Sequence, residues 1–153
     1  MIKNGSAPAR LNARIRQDGR RILTRADILA MGRSLSHPDR AIARLVDEGK
    51  VDKIDRGLWL VPSGERPDFE VPRFWSNPEL RDPLTISVLV VCNPTLRDVV
   101  RVLIAYGRKT VEAALAAAKS EGALQPSVEA TANRMIGNAW KGIADVARHR
   151  IAA

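Results

Sequence analysis

The stretch from Ser36 and His37 through Arg40 and Arg44 to Lys53 and Arg56 gathers side chains suited to gripping a polyanion. A guanidinium presents a planar fork of donors that meets a guanine edge or a phosphate bidentately, and a lysine neutralises phosphate as a point charge. Arg40 and Arg44 are four residues apart, so on a helix they stand one turn from each other on the same face. Ser36 and His37 can donate to the same ligand or serve only to start that helix. The DNA-contact set read from the sequence is Ser36, His37, Arg40, Arg44, Lys53 and Arg56.

Other spacings carry less chemistry. No Ser/His/Asp arrangement or carboxylate pair stands out as an active site, so the chain reads as a non-enzyme without a cofactor. "YGRKT" at 106–110 has the tail of a phosphate-binding loop, but Val102 sits where the first glycine of G-x-x-x-x-G-K-[ST] belongs, which leaves a helix boundary. Asp98 and Arg101 read as a surface pair, Cys92 as a core residue and His149 as part of a solvated basic terminus. One cysteine excludes an internal disulfide and, with two histidines in the chain, argues against a zinc site.

The elements that must hold the cations follow from caps and periodicity. "APARLNARIRQDG" reads as a basic first helix ending at Gly19, and "RRIL" as a short extended lead. In "TRADILAMG", Thr24 and Asp27 have capping-box spacing and Gly32 ends the helix. In "RSLSHPDRAIARLVDEGK", Ser36 is the candidate N-cap, Pro38 suits the first turn and Gly49 supplies a left-handed stop. Ala41, Ile42, Leu45 and Val46 then form one buried face, leaving Arg40, Arg44 and Asp47 outward. "VDKIDRGLWLVP" alternates, turns and returns until Pro62 ends the ladder. Leu58, Leu60 and Ile54 are expected to seal the helices, with Lys53, Asp55, Arg56 and Trp59 on the hairpin's other surfaces. Three helices followed by a two-stranded hairpin make a winged helix-turn-helix, and the hairpin is its wing.

Residues 63–81 carry Pro67, Pro72 and Pro78 and read as an ordered connector pinned by Phe69, Phe74 and Trp75. Asp82-Pro83 opens a helix through Val91, with a strand as the alternative for its β-branched run. "NPTLRDVVRVLIAYG" carries Leu96, Val99, Val100, Leu103 and Ile104 on one face. An Ala-rich helix ends near Gly122, and a longer one over 126–150 has Met135, Ile136, Ala139, Trp140, Ile143 and Val146 as its inner stripe. The fold class is mainly α: a winged helix-turn-helix over 1–62, a connector over 63–81 and a helical bundle over 82–153.

Charge agrees with the placement of the cations. The chain holds 25 Lys+Arg against 17 Asp+Glu, and residues 1–62 carry 13 and 7 of these, so most of the net +8 lies in the hairpin half. The longest apolar run, "LTISVLVVC" at 84–92, is too short to span a bilayer, and the N-terminus lacks a signal-peptide core. A cytoplasmic location and no membrane association are expected.

Residues 20–62, through "TRADI", "RAIARLVDEGK" and "DRGLWLVP", resemble the N-terminal winged helix of AbiEi-type antitoxins, the antitoxin half of abortive-infection (type IV) toxin-antitoxin pairs. The resemblance covers just over a quarter of the chain. It implies a domain that binds the double-stranded DNA of its own promoter and represses its own operon, with a nucleotidyltransferase-type toxin as partner. Arg40 and Arg44 of the third helix and Lys53 and Arg56 of the wing become the implied contacts. The helical half is expected to form a homodimer or to capture the toxin. The alternative is a protein-interaction adaptor whose winged helix is only a platform.

Overall fold

The computed structural model describes residues 5–152 and divides the chain into two units, Met1–Pro62 and Ser63–Ala153. In the first, α1 (Ala7–Asp18) starts at Ser6, whose hydroxyl accepts from the Ala9 N–H at 3.3 Å, and buries Leu11 and Ile15. After β1 (Ile22–Thr24), a reciprocal cap starts α2 (Arg25–Met31). The Asp27 N–H donates to Thr24 Oγ1 at 3.2 Å, and the Thr24 N–H donates to the Asp27 carboxylate at 2.8 Å. A turn then leads to α3 (Pro38–Asp47), and β2 (Asp52–Asp55) and β3 (Leu58–Leu60) form the wing.

Leu11 and Ile15 from α1, Ile28 from α2, and Ala41, Ile42 and Leu45 from α3 meet in one apolar cluster. Burying each of the larger aliphatic side chains contributes on the order of 1.5–3 kcal/mol, which holds three short helices that would not persist alone. Gly32 lets α2 close on α3: a Cβ there would lie 2.7 Å from Pro38 Cβ and 3.1 Å from the Ile28 carbonyl oxygen.

Three features of this unit differ from the sequence reading. The extended lead is, over residues 22–24, a third strand of the sheet, pairing antiparallel with β3 so that Leu23 faces Trp59 and Thr24 faces Leu58; the sheet order is β1-β3-β2. Three residues carry no measurable period, and the partner lies far along the chain.

Trp59, which the sequence reading assigns to the hairpin's other surfaces and its residue type to the core, is only 7% exposed and joins the cluster with Leu23; Ile54, Leu58 and Leu60 are buried as well. Because β3 is apolar at every position, alternation cannot say which side faces the helices. Finally, α3 begins at Pro38, so His37 rather than Ser36 occupies the N-cap, and it makes no side-chain cap bond. Proline at the first helical position bars the preceding residue from helical backbone angles, which sets the boundary there.

The second unit comprises residues 63–81 without helix or strand, then α4 (Pro83–Cys92), α5 (Leu96–Tyr106), α6 (Arg108–Ser120) and α7 (Pro126–Ala152). The β-branched run is helical because Asp82 caps it, accepting from the Thr85 N–H at 2.9 Å, and Pro83 suits the first turn. α4 packs against α6, and α5 against α7. Gly107, at φ 87°, separates α5 from α6, so "YGRKT" is a helix boundary.

Asp98 is not a surface residue paired with Arg101. Its side chain is fully buried and forms a 2.9 Å ion pair with Arg73, itself 3% exposed. The carboxylate also accepts from the backbone N–H groups of Glu70 at 2.7 Å and Val71 at 3.2 Å, while Arg73 donates to the carbonyls of Leu89 and Asn93. Arg101 instead donates to the Asp68 carbonyl at 2.6 Å.

Burial alone would push the Asp98 carboxyl up. The bonds from Glu70, Arg73 and Val71, together with the Arg73 charge, outweigh it and hold the group below its ordinary value. Phe69 and Phe74 pack 5.5 Å apart with Arg66 over Phe74, but Trp75 is 85% exposed and pins nothing. Leu96, Ile104 and Val146, assigned to inner stripes, are exposed, and the buried stripe of α7 continues through Ala144 and Ala147 instead.

Among the described residues no helix is long and apolar enough to cross a membrane, and no group of His, Cys, Asp and Glu is gathered to hold a metal ion. Cys92 is half-buried, and burial followed by the nearby Glu121 charge pushes its thiol up, away from the reactive thiolate.

Candidate nucleic-acid interface

α2, the Gly32 turn and α3 form a helix-turn-helix whose second helix buries Ala41, Ile42 and Leu45 and turns Arg40, Ala43, Arg44 and Asp47 outward. Arg40 and Arg44 stand one turn apart, and Arg44 reaches along the helix to Glu48 at 3.1 Å. Ser36 and His37 are exposed in the turn that leads into α3. A helix carrying arginines at this spacing opposite its buried stripe fits the width of a DNA major groove.

Between α3 and the wing lies an open groove of about 640 Å³. Trp59 lies along it from β3, and Ile42, Ala43 and Val46 line the α3 side. Lys53 from β2 and Arg56 from the hairpin turn meet there with Arg25, the first residue of α2, while Asp39 and Asp47 supply the groove's negative charge. Arg25 pairs with Asp39 at 3.2 Å across exposed side chains. Arg56 is presented by a two-residue turn whose second member, Gly57, takes φ 72°, a conformation that favours glycine.

The structure thus divides the sequence-derived set among the turn before α3, which holds Ser36 and His37, the outer face of α3 and the groove. Lys53 and Arg56 come together in the groove, whereas Arg40 and Arg44 share the outer surface of α3 and are not part of the groove lining. Sequence reasoning passed over Arg25. Its position after the Thr24 cap was visible, but its approach to the wing depends on β1 pairing with β3.

The basic first helix contributes less than its charge suggests. Arg14 donates to the Met31 carbonyl and Ser34, and Arg16 to the carbonyls of Pro62 and Lys50. Following the helix, Arg20 is clasped by Asp18 and Asp27 at 2.7 and 2.8 Å, and the Asp18 hydrogen bond is the main reason its guanidinium is raised above its ordinary value.

Residues 11–62 match the family of AbiEi antitoxin transcriptional regulators. The matched segment runs from Leu11 in α1 to Pro62 at the end of the first unit, and it contains the helix-turn-helix, the wing, Arg25 and all six residues of the sequence-derived set. No curated protein and no solved structure matches the chain.

Proposed function

We propose that this protein is a non-enzymatic, cytoplasmic DNA-binding regulator that represses its own toxin-antitoxin operon. α3 enters the major groove with Arg40 and Arg44 toward base edges, and Arg25, Lys53 and Arg56 hold the flanking backbone. The observation that carries the reading is that the start of α2, the outer face of α3 and the wing present these cations within the segment that matches the antitoxin regulators. Net charge concentrated in residues 1–62 supports it. The toxin would be a nucleotidyltransferase, as the resemblance implies. The helical unit would join two copies, giving the winged helices a pair of symmetric half-sites.

The test is binding of the full chain to a duplex from immediately upstream of its own gene, with and without Arg40→Ala/Arg44→Ala. Each lost base contact is expected to weaken binding by about 1–3 kcal/mol, with far-UV circular dichroism unchanged. Unaltered affinity in the double variant refutes the recognition-helix assignment. Absence of any duplex binding at low salt refutes the regulator reading and leaves an adaptor. Light scattering at tens of micromolar reads the dimer independently.

A further inference from the structure

We propose that Asp39 in the first turn of α3 and Glu48 at its C-cap, each paired with an arginine, determine DNA specificity by competing with phosphate for those arginines. The inference rests on the DNA-binding reading above. In the free protein Asp39 holds Arg25 at 3.2 Å and Glu48 holds Arg44 at 3.1 Å, so an acid already occupies two of the cations of this surface.

The two ion pairs themselves give the fold little reason to keep these acids. Both pairs are partly solvated, and ion pairs in such positions contribute little. Arg44 precedes Glu48, the less favourable order for a helical pair, and Glu48 occupies the C-cap, where a negative charge opposes the helix dipole. Asp39 suits its place in the first turn of α3, yet it also lines the groove with Lys53 and Arg56.

A DNA backbone entering that groove must displace Asp39 from Arg25 and then lie beside its charge. Binding that uses phosphate contacts alone draws all its affinity from the cations and feels this competition in full. In a complex seated on its preferred sequence, Arg44 exchanges one carboxylate for a bidentate base edge, and groove contacts independent of charge hold the helix in place. The acids therefore widen the gap between the two modes, as an unfavourable element placed against the wrong partner does.

The experiment compares the full chain with Asp39→Asn, Glu48→Gln and the double variant by fluorescence anisotropy over a salt series. The probes are the duplex that the unaltered protein enriches from a random-sequence pool, and a shuffled duplex of the same length and composition. Binding to the shuffled duplex is expected to tighten about threefold per substitution and roughly tenfold in the double variant at low salt, fading as salt screens the charges. Binding to the enriched duplex is expected to change less, so the specificity ratio falls.

Equal tightening on both probes, or none on the shuffled duplex, overturns the inference. So does a selective loss on the enriched duplex, which would make the substituted carboxylate a base contact. If the unaltered protein enriches and binds no duplex at low salt, the DNA-binding reading itself fails before any substitution is examined.

Discussion

Replacing Asp98 with Ala should destabilise the second unit far more than loss of a surface pair. The substitution leaves the 3%-exposed Arg73 guanidinium with only the carbonyls of Leu89 and Asn93, and removes the acceptor of the Glu70 and Val71 N–H groups. Breaking a buried ion pair from one side costs about 3–5 kcal/mol, because the remaining charge stays desolvated. The two orphaned amides belong to the same loss and are not added to it. With a urea slope of about 2 kcal/mol per molar, the unfolding midpoint should fall by roughly 1.5–2.5 M.

The assay is urea unfolding followed by far-UV circular dichroism, with amide exchange at Glu70 and Val71 as the local readout. Exchange at both should accelerate. Asp98→Ala combined with Arg73→Met should be less destabilised than Asp98→Ala alone, since the uncompensated charge is gone. A loss below about 1 kcal/mol, the size of an exposed pair, or no recovery in the double variant, would refute the buried-pair account.

The depressed carboxyls of Asp98 and Asp27 bind protons more weakly folded than unfolded, so their contribution is present above the ordinary Asp range near about pH 4 and lost as pH falls through the folded values. Unfolding free energy measured from pH 7 downward should therefore drop on the acid side, and Asp98→Asn should flatten that limb. Trp59→Ala removes a large side chain from the cluster beneath the helices and should cost about 3–5 kcal/mol in denaturant unfolding; a loss under about 1 kcal/mol would return Trp59 to the surface. Arg56→Ala should weaken binding to all duplexes alike and reduce the salt slope by about one, whereas a loss confined to one sequence would make Arg56 a base reader.

The features legible in the sequence were those written in a few adjacent residues. The Thr24/Asp27 capping box, the Gly19 stop, Pro38 in the first turn of α3 and the Gly57 turn each depend on backbone groups within four residues, and all are present. The stripe of Ala41, Ile42, Leu45 and Val46 was legible because its period spans one helix; the first three are buried, Val46 is partly buried, and Arg40 and Arg44 lie outward as expected. The segment carrying the AbiEi resemblance lies within the residues that match that family.

What sequence alone determined is therefore the set of helices, the wing and the surface that α3 offers, since caps, turns and helical periods are local physics. Tertiary structure decided what depends on distant partners. β1 exists because β3 supplies its hydrogen bonds, and that pairing places Leu23 opposite Trp59 and accompanies the approach of Arg25 to the wing. Asp98 looks like a surface acid until the connector brings two N–H groups and Arg73 to it. A charged side chain is buried only where such partners converge, and convergence across many residues of chain leaves no mark in the local pattern.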